Sequence, residues 1–439
     1  MSLLADEYLK TWNDTAYKDA TELEQKKGVP MVAYFLLGAQ SGEDIQVAHI
    51  TKCPMPDTVD GDGDPSTKKI DEEWIVDNAE KVLRMLSGGI FIVGVAVICT
   101  KKMFSEERNM LVKVLSRTQR MAAAMCTFEM ESLSGRMALL HIDRESKKAS
   151  AIVTDVVKRG PDSPSKFEIS KLNWVSIVCR VAVDMRTAVE AHSKEDFYKE
   201  FQAAIRPWIT SLWTPDAVYA FDGELKEDSD LLNKPNEKKP KSSYEVHVYI
   251  ACAGSSGSEG VVALPQESKK QGEVFEISFD LAVRASVPAK ATFGDAKRAL
   301  RQQLIRTLMA RAALHYESME LQEDGRKIGN AIHQLPRACT TVIPCAGSVM
   351  AYDYLFEGDT TDDAIKNFQI LLSLKTSSPE EVDDLWERNL NEGEVEEPTA
   401  IISHLHRTPE GSSLTWLWIL LSIIAVIIAI IVFAVIKAS

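Results

Sequence analysis

Apolar positions fall along the chain in short runs whose spacing predicts a mixed sequence of strands and helices. Val29–Gly38 and Ile45–Ile50 are two apolar runs around the polar turn "AQSGED", as expected of paired strands. In "DEEWIVDNAEKVLRMLSGG", Ile75, Ala79, Val82, Leu83 and Leu86 recur at i, i+4, i+7, i+8 and i+11. That spacing predicts an amphipathic helix, ended at Gly88. Ile90–Cys99 is ten consecutive apolar or glycine residues dominated by Val and Ile. It predicts a fully buried central strand and is half the length needed to span a bilayer.

Ser105 is placed to cap a further helix reaching about Cys126, and "MALLHI" with "ASAIVTDVV" reads as a hairpin around "DRESKK". Val175, Ile177, Cys179, Val181 and Val183 alternate as in a half-buried strand, and Ser193 opens a helix carrying Phe197, Phe201 and Trp208. "AVYAFDGELKEDSDLL" predicts strand, Asp222-Gly223 turn and strand. Alternation returns at Val246, Val248, Ile250 and Cys252 and at Phe275, Ile277, Phe279, Leu281 and Val283. A long helix from about Asp295 to Leu321 is built on Leu300, Leu304, Leu308 and Ala312. "TTVIPC", "SVMAYDYLF" and a helix from about Thr361 complete the folded part, and the residues before Val29 are assigned no element. The expected fold class is α/β (α+β): one domain over 1–215, then a second α+β domain over 216–375 with a Lys/Pro-rich loop at 233–243.

Beyond it, 376–413 reads as an acidic spacer, because Glu380–Glu397 holds nine acids and one Arg with no heptad pattern. Leu414 to Ile436, "LTWLWILLSIIAVIIAIIVFAVI", is 23 residues without a charge. As a helix it reaches about 35 Å against a hydrocarbon core of about 30 Å. Trp416 and Trp418, just before Ile419, stand where indole rings favour the headgroup boundary. The segment reads as a single C-terminal transmembrane anchor behind a cytosolic body. Its length and single following Lys437 suit the endoplasmic reticulum better than the mitochondrial outer membrane. A membrane-fusion protein would need a long heptad helix directly before the anchor, which the spacer lacks.

Composition narrows the chemistry. A net charge of −14 argues against a nucleic-acid partner. Seven cysteines with no Cys-x-x-Cys pair suit a reducing compartment and lack the spacing of a structural zinc site. Asp60, Asp62 and Asp64 alternate as in a calcium loop, but Pro65 and Asp71 occupy the positions that need Gly and Glu, so a solvated loop is expected. No phosphate-binding glycine loop or Gly-x-Ser-x-Gly elbow occurs, and no cofactor is expected.

The ordered set "YFLLGAQSG", "FIVGVAVI", "FDGELKEDSDLL" and "LPRACTTVIPCAGSVMAYDY", followed by the C-terminal anchor, resembles the odorant response abnormal protein 4 family over nearly the whole chain. The resemblance implies a membrane protein of the endoplasmic reticulum. It also implies a role in maturation and ciliary delivery of odorant-type G-protein-coupled receptors, with the ubiquitin-fold-modifier-specific protease as a partner held at the membrane.

The N-terminal half also looks like an MPN domain, the fold of zinc isopeptidases and their silent relatives. Active members follow an apolar strand ending in Val-Gly with His-x-His, then Ser and Asp on the next element. Aligned on Val93-Gly94, those four positions are Val97, Cys99, Glu107 and Met110 here. Zinc needs two imidazoles and a carboxylate around a water, and Val and Met can neither ligate zinc nor activate water. A non-catalytic domain is therefore expected.

The remaining alternative is a hydrolase, either zinc isopeptidase or thiol protease. The single His-x-His, His404-Leu405-His406, lies beside the membrane segment, and Cys339 and Cys345 near His333 are the thiol candidates. The partner protease's Asp-Pro-His is absent from this chain.

Overall fold

The computed structural model describes residues 2–56, 71–126, 134–189, 217–234, 239–249, 273–321 and 335–385, apart from three single positions, together with part of 199–214. Residues 1–388 form one compact unit.

Seven strands close into a barrel in the order β1-β3-β2-β4-β5-β6-β7. They are β1 (Ser2–Asp6), β2 (Val32–Ser41), β3 (Asp44–Lys52), β4 (Phe91–Cys99), β5 (Arg136–Asp143), β6 (Ala149–Asp155) and β7 (Ser163–Ser170). β1 closes the ring by pairing in parallel with both β3 and β7. β4 and β5 are also parallel, so their connection must cross the sheet, and helix α3 (Lys101–Cys126) does so. The buried central strand and the hairpin expected from the sequence are β4 and β5–β6.

The two faces of these strands bury different partners. Phe35, Leu37, Val95, Val97 and Leu139 pack with Ile75, Ala79 and Leu83 of α2 (Glu72–Arg84) and with Leu111 and Leu115 of α3. Leu36, Ala96, Ile98 and Leu140 face the other way and share a cluster with Ala16 and Ala20 of α1 (Trp12–Lys27). Burying each Leu, Ile or Phe contributes about 1.5–3 kcal/mol, so the period-2 pattern of β4 fastens helices to both sides of the barrel.

The chain leaves the barrel at Ser170 and enters a second sheet, ordered β10-β9-β11-β8-β12. Its backbone is a sixteen-residue antiparallel ribbon of β8 (Trp174–Val189) and β12 (Glu273–Pro288). β9 (Val218–Phe221) and β10 (Glu224–Leu225) form the expected hairpin, with Asp222 at φ 49° and Gly223 at φ 80°. β11 (Ser243–Tyr249) sits between β9 and β8, so this sheet draws strands from both sides of residue 215. The Lys/Pro-rich loop is drawn shut at its ends, Asn233 accepting from the Lys241 N–H at 2.7 Å and donating to its carbonyl at 3.1 Å.

Helix α4 (Phe293–Leu321) covers the second sheet, burying Leu300, Leu304, Leu308 and Ala312 as the spacing predicts. Thr292 and Asp295 exchange side-chain-to-backbone hydrogen bonds at its start, a capping box. The hairpin of β13 (Arg337–Cys345) and β14 (Gly347–Leu355), followed by α5 (Thr361–Leu372), packs against the same barrel face as α2.

Several expectations are corrected. Helix α3 starts at Lys101, not Ser105: Thr100 accepts from the N–H groups of Met103 and Phe104. Helix α2 stops at Arg84, ahead of Gly88, and Asp71 caps its start by accepting from the Trp74 N–H at 2.8 Å. The start of the supposed disordered spacer belongs to the body. Asp383 bridges Thr340 through two backbone hydrogen bonds, Val382 is buried, and Asp384 pairs with Arg337 at 3.3 Å. β1, α1 and β7 were not anticipated. The acidic loop before Asp71, most of the helix expected from Ser193, and residues 386–439 lie outside the described residues. Among the described residues no helix is long and apolar enough to cross a membrane.

The elements meet at the segment 85–90. Arg306 of α4, 1% exposed, donates from Nη1 to the carbonyls of Leu86, Ser87 and Ile90 at 2.8, 3.0 and 3.1 Å. A Cβ on Gly88 would lie 2.1 Å from the Ala299 carbonyl oxygen, so only glycine lets the two backbones approach this closely. Arg306→Met removes the guanidinium from those buried carbonyls, Ser87 keeping its bond from the Ile90 N–H, and is expected to cost about 3 kcal/mol of stability, read as a lower midpoint in urea denaturation.

Candidate functional site

The carboxyl ends of parallel strands are where α/β folds present chemistry, because side chains and helix termini converge there. In this barrel that place is the end of the β4–β5 pair, where Val97 is in register with His141 and Cys99 with Asp143. Alternation puts all four on the face covered by α3.

Val97 and Cys99, the positions aligned with zinc-binding histidines, are both fully buried. They belong to one core cluster with Leu111, Val114 and Leu115, and Met110 packs against it from α3. Glu107, half-buried on the same helix, lies close enough for its charge to act on the Cys99 thiol. The four aligned residues are thus brought together, but as a packed seam. Burial pushes the Cys99 thiol up to about 11, partly offset by Arg144, so it is held as the neutral thiol.

Three further residues complete the cluster, and the sequence reading had not singled them out. His141, buried and stacked on Phe104 at 4.2 Å, donates from Nε2 to the Cys99 carbonyl at 3.1 Å. Burial lowers its pKa, partly offset by that bond. Asp143 is tied into the following turn by the Ser146 hydroxyl and by the N–H groups of Glu145 and Ser146. The hydroxyl bond above all holds the carboxyl below its usual range. Lys101 lies 3.7 Å away. Arg144 pairs with Glu24 of α1 at 2.7 Å, donates its N–H to the Cys99 carbonyl at 3.0 Å, and accepts from the Tyr17 hydroxyl at 2.9 Å. The available signal was "LLHID", a His and an Asp two apart on an otherwise apolar strand.

Chemically the cluster is committed to its own backbone. Among the described residues no group of three or more His, Cys, Asp or Glu is arranged to hold a metal ion. The thiol-protease candidates fare similarly. Cys339 is fully buried within β13 and its thiol is pushed far up by burial, while Cys345, half-buried, is pushed to about 12. His333, His404-Leu405-His406 and the anchor positions Leu414, Trp416, Trp418, Ile419 and Ile436 lie outside the described residues.

Fold and site together define a mixed α/β body in which the carboxyl end of a central strand is packed shut beneath a crossover helix. A family model described as Odorant response abnormal 4-like matches residues 34–383. The chain is 34% identical over 429 residues to Odorant response abnormal protein 4 of Caenorhabditis elegans, covering 94% of this chain and 87% of that protein. It is 23% identical over 366 residues to Protein odr-4 homolog of Homo sapiens, covering 79% of each. The chain belongs to the ODR4-like family, as its ordered motifs suggest. A crystal structure of UfSP from C. elegans superposes with a TM-score of 0.40 at 12% identity, over 85% of this chain and 56% of that one, a similarity too low to carry any argument.

The His141 environment has a pH consequence. Its folded pKa is depressed, so below the unfolded value of about 6.5 the unfolded chain binds a proton that the native state refuses. Stability is therefore full above that pH and falls as pH drops through it. His49, buried with Nε2 2.7 Å from the Leu372 carbonyl and likewise depressed by burial, acts in the same direction. Urea midpoints should fall between pH 7.5 and 5.5, and His141→Gln should shrink that difference.

Proposed function

We propose that the chain is a non-catalytic membrane adaptor of the endoplasmic reticulum, tail-anchored by 414–436. In this reading its body, with an MPN-like N-terminal half, recruits the ubiquitin-fold-modifier-specific protease. It thereby supports maturation and ciliary trafficking of odorant-type G-protein-coupled receptors. The observation that carries the non-catalytic part is the burial of Val97 and Cys99 beneath α3, where an isopeptidase would expose two imidazoles to water. Family membership and the name of the C. elegans relative support the link to odorant response. The uncharged 23-residue run of Leu414–Ile436 supports the anchor. Anchoring would raise the local concentration of a bound partner at the membrane without any new chemistry.

The test compares full-length protein with a chain ending at Glu410. Full-length protein should co-purify with the protease from membranes, and the truncated chain should leave both in the soluble fraction. Protease absent from the full-length preparation, or still membrane-bound with the truncated chain, would refute the tether. Stoichiometric zinc, or modifier cleavage lost in Cys345→Ala, would instead establish the hydrolase alternative.

A further inference from the structure

A cleft of about 560 Å³ opens between the outer face of α3, the start of α2 and the segment joining β6 to β7. Arg108, Lys113, Arg117 and Arg120 of α3 and Arg159 from the joining segment line it, against the carboxylates of Glu72, Asp155 and Asp162. On a chain of net charge −14 this local excess of cations is the reverse of the whole.

Two of the cations are already neutralised. Arg117 pairs with Glu72 at 3.1 Å and Glu73 at 2.7 Å, and Arg108 pairs with Asp162. Asp155 is occupied locally, accepting from the N–H groups of Val157 and Lys158. Lys113, Arg120 and Arg159 remain, all exposed, and among the described residues no ion pair joins any of them to a carboxylate. Arg159 ends the turn that follows β6, at φ 51°, one of four described non-glycine residues in the left-handed region.

Geometry selects among anions. On α3, Lys113 to Arg120 spans seven helical residues, about 10 Å at the α-helical rise, and Arg159 faces them from the joining segment. A lone phosphate would meet one or two of the cations, whereas an extended chain covers that length in about three or four residues. A membrane surface or a nucleic acid would press its whole charge against the rim carboxylates and the acidic body. A short peptide can place its carboxylates between them.

We propose that the cleft between α3 and the β6–β7 segment binds an extended Glu/Asp-rich peptide segment of a partner protein, with Lys113, Arg120 and Arg159 as its charge contacts. The inference stands independently of the adaptor reading.

The test uses full-length protein in neutral detergent and a fluorescein-labelled hexaglutamate peptide, read by anisotropy. Binding is expected at about 50 mM salt, weakened at least tenfold by K113E/R120E/R159E and lost at about 500 mM salt. Hexaglutamine should not bind. The three side chains are exposed, so the thermal midpoint should be unchanged; if it is not, Lys113→Gln and Arg120→Gln are read instead, each weakening binding several-fold. The proposal is overturned if hexaglutamate does not bind or if the charge-reversed protein binds it equally. It is equally overturned if inorganic phosphate, short-chain phosphatidylserine or a single-stranded oligonucleotide binds more tightly than the peptide.

Discussion

The guanidinium of Arg306 and the three carbonyls of Leu86, Ser87 and Ile90 form the contact on which the remaining arrangement depends. A buried cation is costly unless its donors are met, and here Nη1 is met by three carbonyls of one short backbone segment. The segment is held from other sides as well. Tyr352 donates its N–H to the Met85 carbonyl, and Ser286 to that of Gly88. Gly89, at φ 83°, lies where a Cβ would meet the Ser286 carbonyl oxygen at 2.3 Å. Barrel, second sheet and β13–β14 hairpin are thus joined through six residues, and β4 begins directly after them.

Fixing the start of β4 fixes its far end, nine residues on, where Val97 and Cys99 meet His141 and Asp143. Helix α3 follows at once because the next strand is parallel to β4 and the chain has to return along the barrel. Its two faces then have different roles. Leu111, Val114 and Leu115 close the strand ends, while Lys113, Arg117 and Arg120, interleaved with them, face outward. The helical period alone separates a sealed interior from a charged exterior within ten residues.

The strongly periodic elements were legible in the sequence. β2, β3, α2, β4, α4 and the β13–β14 hairpin each carry an apolar pattern because each is buried on a long face. What was missed lacks that pattern for a physical reason. Helix α1 buries just Ala16 and Ala20, whose small side chains make no stripe. β1 has five residues, and β7, "SPSKFEIS", is polar; their parallel pairing to each other closes the barrel through backbone hydrogen bonds that no side chain announces. That Val97 and Cys99 share one face could be read from spacing along β4. His141 and Asp143 could not be joined to them in the same way, because their proximity depends on the register of two strands separated by the whole of α3.

That register also sets what each group of the ionisable cluster at the strand end is bonded to. A nucleophilic thiol must lose its proton near neutral pH. Here Nε2 of His141 is given to the Cys99 carbonyl, the Asp143 carboxylate to Ser146 and its turn, and the Cys99 thiol is held protonated by burial. Arg144 then ties the same carbonyl to Glu24 and Tyr17 of α1. His141 and the Arg144 N–H converge on one carbonyl, the Asp143 carboxylate is used in its own turn, and the Arg144 guanidinium is paired across to α1. The strand end therefore joins α1, β4, β5 and α3 as a structural node, and the outward face of α3 is where this part of the body can meet a partner.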